Sequence, residues 1–226
     1  MKINPPPLAG KLLKFVKKEY KIIPINPRDT RRMEKFFDLF KKNLKTLRLE
    51  LRLLEPSAEN AELIWNTLKA ENRGDFAFIN YSPKYDKPLP ESVDDVLEIM
   101  KNDDKMAADN GVVWYIFHNN NLVGYQRIHY WPQSKTIQFA AVWFVKSAWG
   151  HGFSQEVHNT LEQISFEQLK VHRVTRQCMA GNLHSKKSIE NAGYHLDGCV
   201  RDSHLMPDGT WMDHLTYTKL ESEYKD

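Results

Sequence analysis

Only two cysteines, Cys178 and Cys199, occur in the 226 residues, with no Cys-x-x-Cys spacing. That excludes a disulfide-held scaffold and a paired redox thiol, and it is read as reduced thiols in a cytoplasmic protein. Both cysteines lie in strand-like runs and read as small buried side chains. No stretch approaches the roughly 20 apolar residues that a bilayer-spanning helix requires, so membrane insertion is not expected. The opening MKINPPPLAGKLLKFVKKEY places proline and lysine where a secretory signal needs an unbroken apolar run, so no signal peptide is expected. Nine histidines are present, but no H-E-x-x-H and no matching cysteine spacing accompany them, and no metal is expected. Internal repeats are also lacking.

What is present fits one sizeable α/β body with an appendage: 41% hydrophobic and 27% charged residues are ordinary for a globular chain. The net charge of +3 is unevenly spread. Residues 1–45 hold 13 Lys and Arg against 4 Asp and Glu, and the remainder is acidic. Residues 1–45 are therefore read as a basic, helical N-terminal extension and residues 46–226 as the body. Two amphipathic helices are expected in the extension, over 8–20 and 29–47, separated by Ile23-Pro24-Ile25-Asn26-Pro27. The second puts Met33, Phe36, Phe37, Phe40 and Leu44 largely on one side. That face must be covered by the body or a second subunit, while the basic side suits RNA, a ribosome or an acidic partner.

From Thr46 the pattern changes. Leu47, Leu49 and Leu51 alternate with charged residues, as in a half-buried strand. Ser57 is placed to cap a helix over 61–70, a Pro-rich loop covers 82–90, and a second helix follows from Ser92. Val112–His118, Leu122–Tyr130 and Thr136–Val145 read as an antiparallel meander with a turn at Asn119-Asn120-Asn121. Helices are expected over 153–169 and 185–191, and strands over 173–179, 194–200 and 214–219. Grouped strands followed by interleaved helices indicate a mixed α/β (α+β) sheet.

Chemistry is concentrated in Val142-Trp143-Phe144-Val145-Lys146-Ser147-Ala148-Trp149-Gly150-His151-Gly152-Phe153, a strand, a loop with two glycines and a helix start. Glycines bring backbone N–H groups close to a ligand, and the helix end adds positive potential, so the arrangement suits a pyrophosphate. Alone, it also fits an ordinary tight turn. Downstream come Asn182-Leu183-His184-Ser185, Ser188-Ile189-Glu190-Asn191-Ala192-Gly193-Tyr194, Asp197-Gly198 and Arg201. With Thr46-Leu47-Arg48-Leu49-Glu50-Leu51-Arg52 and with Asp213 and Tyr217, these resemble the RimJ/RimL branch of the GNAT N-acetyltransferases over roughly residues 46–220. The chain departs from the superfamily pattern at Ser147, where Gln or Arg is usual.

The resemblance implies a GNAT-like, mostly antiparallel sheet flanked by helices, and transfer of an acetyl group from acetyl-CoA to a primary amine without a metal. It implies that the strand through Trp143, Phe144 and Val145 holds the pantetheine arm and that Gly150, His151, Gly152, Phe153 and Ser154 cradle the pyrophosphate. Asn182 would contact the arm, Lys187 the 3′-phosphate, and Ser185 would protonate the leaving thiolate or cap its helix. His204 is the candidate base, a neutral imidazole near pH 7, with Asp202, Asp213 or a water as rivals. Tyr130, Trp131 and Asp213 are candidates for the acceptor pocket. The acceptor is expected to be a protein or peptide α-amine; a small-molecule amine and a non-catalytic acyl-CoA-binding role are the alternatives. Monomer or homodimer is expected.

Overall fold

In the computed structural model, which describes residues 27–79, 89–206 and 208–225, the first helix, α1 (Pro27–Phe40), stops seven residues short of the expected 47. Two short strands follow, β1 (Leu44–Lys45) and β2 (Glu50–Arg52), paired as a hairpin. Its turn is closed by the Thr46 N–H donating to the Leu49 carbonyl at 2.9 Å. Leu47 consequently sits in the turn, 91% exposed, while Leu49 and Leu51 are buried. The single strand expected from Thr46 is bent because the Glu156 carboxylate accepts from both Thr46 Oγ1 and the Arg48 N–H. The helix expected over 8–20 and most of the Pro-rich loop lie outside the described residues.

The apolar face of α1 is covered by the body. Phe36 stacks on Tyr130 with ring centroids 5.2 Å apart, and Phe40 tilts against Trp114 at 6.2 Å. The Trp114 indole donates to the Lys42 carbonyl at 2.9 Å, fixing the exit from the helix. Tyr130, expected to line the acceptor pocket, is 1% exposed beneath α1 and belongs to the core.

Helices α2 (Ala58–Leu68) and α3 (Val93–Ala107) begin at Ser57 and Ser92, whose side chains accept from Asn60 N and Asp95 N. The meander is as expected: β3 (Gly111–His118), β4 (Asn121–Trp131) and β5 (Thr136–Phe144). Asn119 and Asn120, with φ of 49° and 64°, make the tight turn between β3 and β4. Next come α4 (Phe153–Gln163), which widens into a π-type turn over Ile164–Leu169, then β6 (Arg173–Met179) and α5 (Leu183–Asn191). Strands β7 (His195–Leu205) and β8 (Trp211–Leu220) and the short α6 (Glu221–Lys225) complete the described chain.

All eight strands join one sheet in the order β1-β2-β3-β4-β5-β6-β8-β7, antiparallel except for β5 with β6. Successive side chains alternate between its two faces. One face packs against α1 and α4, through Tyr130 on Phe36 and Phe139 stacked on His158 at 5.4 Å. The other meets α3, where Asp103 accepts from the Tyr125 hydroxyl at 2.6 Å and pairs with Arg127 at 2.8 Å. The eight-stranded, mostly antiparallel sheet flanked by helices matches the architecture expected from sequence.

Candidate active site

Strands β5 and β6 are in register only from Thr136–Phe139 against Arg173–Arg176. Beyond that point β5 stays with β4 as far as Phe144, and β6 stays with β8 as far as Met179. The two strands part, leaving a wedge with backbone groups on both sides. A bulge initiates it: Gln126 faces Val142 and Ile128 faces Phe139, so Ala140 and Ala141 oppose Arg127 alone. An extra residue bends its strand away from the partner. The fully buried Gln126 holds the bulge, donating from Nε2 to the carbonyls of Arg127 at 2.8 Å and Ala141 at 3.4 Å.

His158 on α4 connects that bulge to the helix. Burial, and then the charge of Arg176, holds its pKa well below the ordinary imidazole value, so the ring is neutral. Gln126 Oε1 lies 3.0 Å from Nε2 and can only accept, which puts the proton on Nε2. Nδ1 is left to accept from Ser154 Oγ at 3.4 Å.

Gly150 and Gly152 have φ of 77° and 76°, and Gly152 stands as a left-handed cap without a side chain. The first N–H groups of α4, from Phe153 onward, have no partner within the helix. A Cβ added at Gly150 meets nothing within 4 Å, and at Gly152 only the end of Arg48 at 3.8 Å. Open space, glycine backbone and a helix N-terminus thus coincide, with His151 at the tip of the loop. These residues fit a pyrophosphate on the observed geometry.

Arg48 is the functional candidate that sequence reading passed over. Its Nε pairs with Glu156 at 2.6 Å, an Nη donates to the His151 carbonyl at 3.0 Å, and the guanidinium lies 4.7 Å over Phe153. Burial acts to raise the Glu156 pKa, but hydrogen bonds from Thr46 and Arg48 outweigh it and hold the carboxylate low. Ser147 is exposed, and Lys146 is drawn aside to Asp75 at 2.7 Å. The cation beside Gly152 therefore arrives from the β1–β2 turn, over 100 residues away in the chain.

On the far side of the wedge, Asn182 caps α5, its Oδ1 accepting from Ser185 N at 3.0 Å. Ser185 is thus inside the first turn and is not the cap. Its hydroxyl is free to meet the Cys178 thiol, whose pKa burial raises. Lys187 is exposed on α5. Tyr217 is buried within β8, its hydroxyl 3.2 Å from Glu190, and burial with that carboxylate pushes its pKa up to about 12. Trp143, Phe144 and Val145 are buried where β5 ends; the Val145 N–H donates to the Val123 carbonyl at 3.0 Å, and the Phe144 carbonyl accepts from the Trp149 indole at 2.8 Å.

The β7–β8 hairpin borders the other side of the sheet. His204 sits directly opposite Met212 and so shares a face with His214, two residues along β8. Burial, and then His204, lowers the His214 pKa. Asp213, expected in the acceptor pocket, instead accepts from Asp202 N at 2.9 Å and from Cys199 Sγ at 3.4 Å. Its carboxylate fastens the irregular turn of β7, where Asp202 has a φ of 48°. Cys199 is exposed on this edge strand, contrary to expectation, whereas Cys178 is buried. Trp131 lines an open cavity of about 580 Å³ with Gln138, Gln177 and Thr216. Among the described residues no group of three His, Cys, Asp or Glu side chains is arranged to hold a metal, and no helix is long and apolar enough to cross a membrane.

Residues 48–195 match the acetyltransferase (GNAT) domain family. The chain belongs to the GNAT acetyltransferase family. Residues of this GNAT protein are 32% identical over 74 positions to the probable N-acetyltransferase YjcK of Bacillus subtilis strain 168, a match covering 33% of this chain and 40% of that relative's length. A solved structure of a probable acetyltransferase superposes with a TM-score of 0.66 at 24% identity, covering 81% of this chain and 99% of the other. RimL, a ribosomal L7/L12 alpha-N-protein acetyltransferase solved in complex with coenzyme A, gives a TM-score of 0.66 at 15% identity, covering 79% and 98%. These two likenesses concern the fold.

Proposed function

We propose that this GNAT protein is an acetyl-CoA-dependent N-acetyltransferase of the RimJ/RimL-like branch, acting on the α-amine of a protein or peptide. The observation that carries the reading is the wedge between β5 and β6 opening beside a two-glycine helix start. The chain at Trp143, Phe144 and Val145 runs beside the pantetheine arm, and the Asn182 side-chain amide reaches it from α5. N–H groups from Gly150 to Ser154 hold the pyrophosphate, with Arg48 in the role of the Gln or Arg absent at Ser147, and Lys187 turns toward the 3′-phosphate. Acetyl-CoA supplies an activated thioester.

The acceptor amine attacks the thioester carbonyl carbon. The amine loses a proton as the C–N bond forms, and the C–S bond breaks to release a thiolate that takes up a proton. His204 removes the first proton from the face that also carries His214. Ser185, with its hydroxyl beside Cys178 at the wedge, delivers the second. An α-amine suits this modest machinery: its pKa near ~8, against ~10.4 for lysine, leaves a useful fraction neutral at pH 7. RimL, an α-N-protein acetyltransferase, shares the fold.

The test is release of free thiol from acetyl-CoA against peptides of varied N-terminal residue, small amines and amino sugars. Turnover confined to peptides supports the reading. Turnover confined to small amines replaces the acceptor, and a lack of calorimetric acetyl-CoA binding removes the proposal.

A further inference from the structure

Among the described residues, the cavity beside Trp131 contains a charge without an acidic counterpart. Ten residues line its roughly 580 Å³, and none is acidic. Arg173 stands at one end, paired in register with Thr136 on β5 and Leu220 on β8. Its Nε is buried with no hydrogen-bond partner among the described residues. The neutral groups around it already satisfy one another. Gln138 donates to Gln177 at 2.8 Å, Gln177 to Thr216 at 3.2 Å, and Ser134 to Thr136 at 2.9 Å. A partly desolvated cation in such a setting gains most from an anionic oxygen ligand, whose bonds to guanidinium are charge-assisted. Trp131, 38% exposed, supplies an apolar wall.

The spacing says where that anion sits relative to the reacting amine. Gln138 and Gln177 flank the last rung before the strands part, which is the end of the cavity nearest the wedge. Thr136, opposite Arg173, is two residues back along β5, a distance of roughly 7 Å at strand rise. An extended peptide lying along β5 covers the same distance in two residues. With its first residue at the wedge, its third residue comes beside Arg173.

We propose that this cavity is a specificity subsite of the acceptor, in which Arg173 binds an acidic side chain at the third position of an α-amine peptide. The subsite rests on the peptide-acceptor reading given above. It adds a sequence preference which neither the wedge nor the glycine loop dictates.

The experiment compares kcat/KM for peptides that differ only at the third residue, Glu, Gln or Lys, with wild type, Arg173→Gln and Arg173→Glu. Ratios between peptides within one variant are unaffected by any loss of folded protein. In wild type the Glu peptide is expected to exceed the Gln peptide on the order of tenfold, the usual scale for a hydrogen bond to a charged group. That ratio falls to near one in Arg173→Gln, and Arg173→Glu favours the Lys peptide. A wild-type ratio near one, or a ratio that survives Arg173→Gln, overturns the subsite and leaves the acceptor reading standing. No turnover with any peptide overturns the acceptor reading and the subsite together.

Discussion

Gly152 turns the chain into α4 with positive φ, and the space beside it is open apart from the end of Arg48. A side chain there incurs left-handed strain of roughly 1–2 kcal/mol and projects into the site assigned to the pyrophosphate. Gly152→Val is therefore expected to weaken coenzyme A binding more than it lowers stability, as read by calorimetric titration beside a urea melt. Arg48→Ala removes a donor to His151 and the partner of Glu156. It should weaken coenzyme A binding about tenfold, on the scale of a lost charge-assisted contact, and an unchanged affinity would take Arg48 out of the site. His204→Ala should cut turnover heavily at intact coenzyme affinity, and wild-type rates would assign the base elsewhere. The glycine pair was legible because its geometry is local, whereas the cap of α5 was placed at Ser185 and falls three residues earlier, at Asn182. Arg48 and Gln126 were not legible, because each is defined by a partner distant in the chain, Glu156 and His158.

At the scale of elements, the body depends on α1. Phe36 and Phe40 are fully buried, and truncating a buried aromatic residue to alanine costs about 3–5 kcal/mol. Phe36→Ala should lower the urea midpoint accordingly, whereas Ser57→Ala, the loss of a helix cap, should cost about 1 kcal/mol. The meander and both serine-capped helices were readable because alternation and caps are written into short stretches of sequence. The β1–β2 hairpin was not, since Leu47, Leu49 and Leu51 alternate perfectly, and the grip of the distant Glu156 on Thr46 and Arg48 helps hold the turn. Cys199 was misread for a related reason. Strand β7 lies at the sheet edge, where an apolar-looking run is exposed.

The molecule as a whole carries a pH dependence set by neutral histidines. Burial, and then Arg127, lowers the His129 pKa to about 4, and His158 is lowered well below its ordinary value. Unfolded, both would titrate near ~6.5. As the pH falls below that value the unfolded chain takes up protons first, so stability declines until folded His129 itself protonates near 4. Melting temperature should fall between pH 6.5 and 4, and less steeply in His129→Gln; parallel slopes would exclude His129 as a source. Charge is also unevenly distributed. Arg28, Arg31, Lys35, Lys41 and Lys42 are exposed in or just after α1. If the basic segment contacts RNA, binding should weaken steeply with salt and disappear on removal of residues 1–26.

The parting of β5 from β6 has a mechanical consequence. Four parallel rungs join a five-stranded leaf, β1 to β5, to a three-stranded leaf, β6, β8 and β7. Above those rungs the sheet is a seam left unsewn, with residues 140–144 of β5 on one lip and 177–179 of β6 on the other. On the proposed reading, a pantetheine arm laid between them would act as a partial ninth strand, so the donor would complete the architecture as well as the reaction. Slowed amide exchange along both lips on adding coenzyme A, with the four rungs unchanged, would register that stitching directly.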